Sequence, residues 1–148
     1  MPAGQPEAPN DPSIDSTNAL KILDSGLPTS RIIESTKAFD VAMSFTFGGT
    51  SVAPGVVATP LTFTVSYYYT ELGATVAGAL GTVTGTTQAG VMTYDDTGAA
   101  GSTTTLSVPA STLAVGVYRL TAVVNFTSPG GAAQGYYAFT DGPVIEIV

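Results

Sequence analysis

Three stretches of this chain alternate apolar and polar residues with a period of two, and no stretch repeats with the period of a helix. In the first, Phe39, Val41, Met43, Phe45 and Phe47 share one face, and Asp40, Ala42, Ser44 and Thr46 share the other. In the second, Leu61, Phe63, Val65, Tyr67 and Tyr69 oppose Thr62, Thr64, Ser66 and Tyr68. The third, over 117–127, places Tyr118, Leu120, Ala122, Val124 and Phe126 together. Successive side chains of a strand point to opposite faces, so this pattern predicts three half-buried strands with their aromatic sides in one core. Gly48-Gly49 ends the first, and Pro60 precedes the second, where a missing N–H does little harm.

Weaker strands are expected between them. The Gly-, Ala- and Thr-rich middle supplies candidates at 80–84 and 91–94, followed by a turn at Asp95-Asp96-Thr97-Gly98. Pro109 ends another at 103–108. Ser128-Pro129-Gly130-Gly131 turns the chain toward 136–140 and 144–147, with a turn expected at Asp141-Gly142-Pro143. Short strands, frequent turns and no helical period describe an all-β fold, expected to be an antiparallel β-sandwich of about seven to nine strands. The 148 residues suffice for one such domain.

The beginning of the chain reads differently. Residues 1–16 carry Pro2, Pro6, Pro9 and Pro12 among Gly, Asn, Asp and Glu, too little apolar surface to offset ordering, so a flexible tail is expected. Residues 18–35 contain Leu20-Lys21-Ile22-Leu23 and Ile32-Ile33, separated by Gly26-Leu27-Pro28. These read as two short strands. The competing reading of the first is a helical turn at 17–23 capped by Ser16 and stopped by Gly26. The chain therefore divides into an N-terminal arm, 1–35, and a sandwich domain, 36–148.

The segment Leu113-Ala114-Val115-Gly116-Val117-Tyr118-Arg119-Leu120 resembles the tyrosine corner of immunoglobulin-like and fibronectin type III-like modules. The resemblance covers 109–126 in detail and the rest as strand rhythm. It implies an Ig-like sandwich in which the Tyr118 hydroxyl bonds back to the backbone just upstream. Leu113 would plug the core, and Gly116 would supply the unusual turn dihedral. The chain has no Trp and no Cys, which sets it apart from antibody-type domains. Such a corner specifies fold and leaves activity open.

Catalysis has little to build on. Without His, the commonest general base and zinc ligand is absent; without Cys, there is no thiolate site and no disulfide. No nucleophile elbow or phosphate loop occurs, and Lys21, Lys37 and Arg119 are scattered. Glu71, Asp95, Asp96 and Asp141 could offer oxygens to Ca²⁺ or serve as a glycosidase pair. Their spacing matches no EF-hand, and Asp-Asp-Thr-Gly is already a good turn. A non-enzyme with no cofactor and no metal is expected. A net charge of −7 argues against nucleic acid and against an anionic membrane surface. The uncharged stretch 72–94 is broken by Gly, Thr and Gln, so no membrane insertion is expected. The start, MPAGQPEAPNDPS, has neither the basic nor the apolar region of a secretion signal. An extracellular or particle-associated location is nonetheless expected from the character of the surface.

That character lies in where charge falls. Residues 1–40 hold Glu7, Asp11, Asp15, Lys21, Asp24, Arg31, Glu34, Lys37 and Asp40; the rest of the chain has only Glu71, Asp95, Asp96, Arg119, Asp141 and Glu146. Strand edges at 103–108 and 144–148 thus lack the charge with which a free monomer guards itself. Charge depletion also marks surfaces that become interface cores. The expected role is a structural or assembly subunit of a filament, sheath or shell, whose partners are copies of itself. The apolar residues Leu20, Ile22, Leu23, Ile32 and Ile33 would be donated to a neighbour, so that residues 1–35 add little to the domain's own fold and much to its association. The alternative is a glycan-binding or adhesive module using exposed Tyr68, Tyr136 and Tyr137. Asn125-Phe126-Thr127 fits the short N-glycosylation pattern.

Overall fold

The computed structural model describes residues 13–15, 20–24, 27–28, 31–48, 60–88, 91, 93–97, 101–127 and 133–148, with main chain alone at 13–15, 24, 27–28, 47–48 and 133–138, and among these every regular element is a β-strand. Of the flexible tail expected at 1–16, Ser13–Asp15 is instead a strand paired with 46–48, and residues 1–12 and 16 lie outside the described set, as do 17–19 and the turn at 128–131. In chain order the strands are β1 (Ser13–Asp15), β2 (Leu20–Asp24), β3 (Leu27–Pro28), β4 (Ile32–Ile33), β5 (Phe39–Met43) and β6 (Phe45–Gly48). There follow β7 (Thr62–Glu71), β8 (Ala77–Thr86), β9 (Thr93–Tyr94), β10 (Thr105–Val108), β11 (Gly116–Thr127) and β12 (Ala133–Ile147). They form three sheets, ordered β1-β6-β9, β10-β5-β2-β3 and β4-β12-β11-β7-β8.

Apart from Ala42, expected on the outward face and found buried, the period-two phase is the phase of burial. Val41, Met43, Phe45, Phe63, Val65, Tyr67, Leu120, Ala122, Val124 and Phe126 all sit in one core with Tyr118, Ile145 and Ile147. At its centre Phe45 packs edge-on against Phe63 and Phe126, each 5.5 Å between ring centres, and stacks on Tyr94 at 5.4 Å. Such ring pairs add to the large area each aromatic removes from water.

Beyond the strand count, twelve among the described residues where seven to nine were expected, five expectations need correction. The strand expected through 39–47 breaks at Ser44, so that β5 and β6 belong to different sheets. Met43 is where the chain leaves one sheet for another, and its main-chain groups bond to side chains: its N–H donates to the Tyr67 hydroxyl at 2.9 Å, and its carbonyl accepts from the Thr104 hydroxyl. Asp141-Gly142-Pro143 is no turn. β12 runs through it, with one more residue than β11 between Val144↔Arg119 and Asp141↔Thr121, which is a β-bulge. A bulge tolerates the missing N–H of Pro143. Gly142 is required there because a Cβ would lie 2.1 Å from Leu20 Cδ2.

The third correction concerns direction: β4 pairs with β12 in parallel, which makes the large sheet mixed where antiparallel pairing was expected throughout. The fourth follows from it. The end of β12 is not an open edge, because β4 covers it and Glu146, Val148 and Ser35 complete main-chain bonds to Arg31, Ile33 and Val148. The fifth is the arm. Leu20–Asp24 is a strand, inserted between β5 and β3, and Leu20, Ile22, Leu23 and Ile33 are buried within the chain's own core. Leu20, Ile22, Leu23 and Ile33 thus contribute core to the single chain.

Candidate functional site

Among the described residues the longest edge strand is β8, with the sequence AGALGTVTGT and no charged residue. It pairs on one side only, with β7. Antiparallel pairing alternates main-chain groups toward and away from the partner. Thr86 points away, since its N–H donates to Gly101 O at 2.9 Å. Thr84 and Thr82 share that parity, opposite Thr64 and Ser66, so their amides and carbonyls face the open side. Among the described residues no other main-chain group bonds to them. Leu80 is the extra residue of a bulge between Tyr67↔Gly81 and Tyr68↔Ala79.

Next to this edge lies the outer face of the five-stranded sheet. One row across it runs Phe139, Val123, Ser66 and Thr82; the next runs Asp141, Thr121, Tyr68 and Ala79. Tyr68 is 42% exposed and Phe139 60% exposed, large values for aromatic rings. The outward placement expected of Tyr68 is what its strand gives it. Tyr136 and Tyr137 lie in β12, with Tyr137 opposite Asn125, and their side chains lie outside the described set. Of the five apolar arm residues expected to be donated, Ile32 alone is exposed, opposite Glu146 at the sheet's far side; Leu20, Ile22, Leu23 and Ile33 are buried. Sequence reading placed a weak strand at 80–84, within β8, without its full length or its open edge, and did not single out Phe139. The signals were present: a ten-residue segment free of charge, and a Phe whose partner, Val123, is out of phase with the inward Val124.

The segment around Tyr118 is a scaffold feature. The Tyr118 hydroxyl donates to Ala114 O at 2.8 Å, and the ring meets Tyr69 edge-on at 5.8 Å. Leu113 is buried beside it. Gly116 does not have the left-handed dihedral expected of it; that falls on Ser111, at φ 63°. Gly116 is instead a matter of room, since a Cβ would lie 3.0 Å from Glu71 Oε1 and 3.4 Å from the Tyr118 ring. Burial, with the Glu71 carboxylate adding to it, pushes the Tyr118 phenol up.

Tyr67 is the other anchored phenol. It accepts from Met43 N–H and donates to Thr104 O, which ties β7 to the point where β5 becomes β6. Its burial pushes the phenol up to about 12. Both partners are backbone groups, so this is a structural network with no substrate path.

The acidic candidates are spoken for individually. Asp95 Oδ1 accepts from Thr97 N–H at 2.8 Å and from the Thr97 hydroxyl at 2.6 Å, a side-chain turn that lowers the Asp95 carboxyl below its ordinary range. Asp96 pairs with Lys21 at 3.0 Å. Among the described residues no three acidic side chains gather as a metal site would need. Asp141 belongs to the bulge of β12, and Glu71 to the far end of β7. Among the described residues no helix is long and apolar enough to cross a membrane. In comparisons with known proteins, the sequence matches no family model and no curated protein.

Proposed function

We propose that this chain is an Ig-like β-sandwich that serves as a non-catalytic building block, assembling with copies of itself into an extracellular or particle-associated filament, sheath or shell. The observation that carries the proposal is β8: ten residues, one pairing partner, no charge. Free monomers blunt such an edge with Lys, Pro or a covering segment, because open main-chain groups template further pairing. A neighbour's strand would add hydrogen bonds along Thr82 and Thr84, with side-chain fit setting register. The outer face supports the same reading. Thr, Ser and Val cover most of it, and exposed Tyr68 and Phe139 are the residue types that anchor interfaces.

The arm offers a second contact. Leu20, Ile22, Leu23 and Ile33 fill the chain's own core, and a neighbour's arm can supply the same side chains to the same places in a strand exchange. Multi-angle light scattering with negative-stain microscopy tests the proposal: large ordered particles or filaments are expected, and a monomer at every concentration removes it. A chain starting at Thr36 tests the exchange. It should lose its β signal alone and regain it when a peptide of residues 13–35 is added. The alternative reading, a glycan-binding module, rests on Tyr68 and Phe139 sharing one exposed face; it gains if the chain is monomeric and the Tyr68→Ala variant loses binding on a glycan array.

A further inference from the structure

We propose that the cavity between β2 and the bulge of β12 is a binding site for a small hydroxylated carboxylate, the chemistry of a sugar acid or hydroxy acid. The proposal is independent of assembly. The cavity has a volume of about 470 Å³ and is lined by Leu20, Arg31, Arg119, Asp141, Gly142, Pro143 and Val144. That lies within the roughly 300–1,000 Å³ typical of small-molecule sites. It exists because β12 carries an extra residue between Val144↔Arg119 and Asp141↔Thr121, which bends the strand beside β2.

The charges make the case. The chain has four Lys and Arg against eleven Asp and Glu, so cations should find carboxylates easily. Two do: Lys21 meets Asp96 at 3.0 Å and Lys37 meets Glu34 at 3.7 Å. The other two, Arg31 and Arg119, have no carboxylate within ion-pair distance among the described residues, and both line this one cavity. Their backbones are fixed. Arg31 O accepts Glu146 N–H at 2.8 Å, and Arg119 lies within β11 between Val144 and Thr70. A guanidinium presents a planar fork that matches a carboxylate with two parallel hydrogen bonds.

The third charged group narrows the class. Asp141 also lines the cavity, its Oδ1 accepting from the Thr121 hydroxyl at 3.4 Å. A carboxylate here repels a dianion such as phosphate but accepts a hydrogen bond from a hydroxyl. A monoanion that also carries hydroxyls satisfies both signs of charge at once. Leu20, Pro143 and Val144 supply apolar surface for its carbon skeleton.

The test is an amide-shift titration of the full-length protein with D-glucuronate, D-glucose and inorganic phosphate. Glucuronate should shift the amides of residues 119, 141, 142 and 144 saturably, and at least tenfold more tightly than glucose, which has the ring and lacks the carboxylate. Arg31→Gln and Arg119→Gln should each weaken glucuronate at least tenfold; both side chains are exposed, so the β signal should not change. Arg119→Lys keeps the charge and removes the fork, and should fall between. Asp141→Asn should shift preference toward phosphate. Failure to saturate, equal binding of glucose, phosphate equal to glucuronate in the parent, or undiminished binding in the Arg31→Gln/Arg119→Gln pair each overturns the proposal. So does a change in sedimentation in that pair without any titration, which would assign the arginines to contacts between copies.

Discussion

β7 and β8 are neighbours in one sheet, joined by a short connection and equal at ten residues each, yet they are held in different ways. β7 has a strand on both sides and an inner face of Phe63, Val65 and Tyr67 that is 0–1% exposed. β8 has one paired neighbour and consists of Ala, Gly, Thr, Leu and Val, half of it exposed. Packing and main-chain pairing both specify β7. Pairing with β7, together with Leu80 and Val83 packed against the core, specifies β8, and the unpaired main-chain groups of Thr82 and Thr84 on its far side are what a copy could use. One sheet thus contains a strand committed inward and a strand still open outward.

Phe63→Ala attacks the committed strand where it should hurt most. The ring is fully buried between Phe45 and Tyr94, and its removal should cost about 3–5 kcal/mol in lost transfer energy and cavity formation. A chemical-denaturation midpoint close to the parent's would show that this face is not the keystone of the core.

Tyr67→Phe keeps the ring and deletes one hydroxyl. It leaves Met43 N–H and Thr104 O without their shared partner, at roughly 2–4 kcal/mol for two desolvated backbone groups. The same phenol creates a pH signature. Its folded value is about 12 against roughly 10 unfolded. Between these pH values the unfolded chain releases the proton while the folded chain retains it, so stability falls as pH rises, by about 2–3 kcal/mol across the window. The variant should lose that part of the slope when urea midpoints are compared from pH 9 to 12. Tyr94 and Tyr118 are also raised by burial, so a residual slope should persist.

Gly85→Ala asks whether β8 is entirely permissive. It should not be at this position, because a Cβ would lie 2.3 Å from Phe63 Cζ and 2.8 Å from Gly101 O. Overpacking against a fixed ring and a backbone oxygen should cost about 1–3 kcal/mol. A neutral result would mean that Phe63 can move and that β7 is less rigid than its burial implies.

These positions also show what could be read from the residues. The inward phase of β5, β7 and β11 was legible, because a large apolar residue at nearly every second position, many of them aromatic, fits a half-buried strand. The break at Ser44 was not: nothing local stops the strand, and the cause is Tyr67 and Thr104, distant in sequence, capturing the main chain of Met43. Asp141-Gly142-Pro143 has the composition of a turn and becomes a bulge because β11 continues alongside it. The pairing of β4 with β12 joins segments over a hundred residues apart, and no local pattern encodes it. For the candidate sites, the charge census pointed to edges at 103–108, where β10 is indeed an edge strand, and at 144–148, which β4 covers; β8 showed only as a weak strand at 80–84, because Gly and Ala carry little strand preference. The Arg31–Arg119 cavity was invisible for a related reason, since only the fold brings the two arginines to one place.

Tyr118→Phe removes one hydrogen bond from the corner, that to Ala114 O. About 1 kcal/mol is expected, the net value of a single bond whose acceptor can still reach water, since Ala114 is exposed. A denaturant midpoint equal to the parent's would show that packing against Tyr69 and Leu113, not the hydroxyl, fixes this strand's entry.

Thr84→Lys should have the smallest effect on the fold and the sharpest on the comparison. Thr84 is exposed, lies on the outer face opposite Thr64, and presents its main chain to the open side. Substitution there touches no core residue, so stability should change by less than about 0.5 kcal/mol, as for most surface positions. The new ammonium adds charge to a ten-residue edge that has none. A strand docking on that edge would have to desolvate it or steer around it, which is how natural edges discourage pairing. Light scattering of parent and variant at matched concentrations should therefore show smaller particles for the variant, with superimposable circular dichroism. The same substitution at Thr121, on the outer face but in the interior strand β11, separates the two surfaces. If Thr84→Lys disperses the assembly and Thr121→Lys does not, the edge is the contact. If only Thr121→Lys does, copies meet face to face and β8 is open without being used.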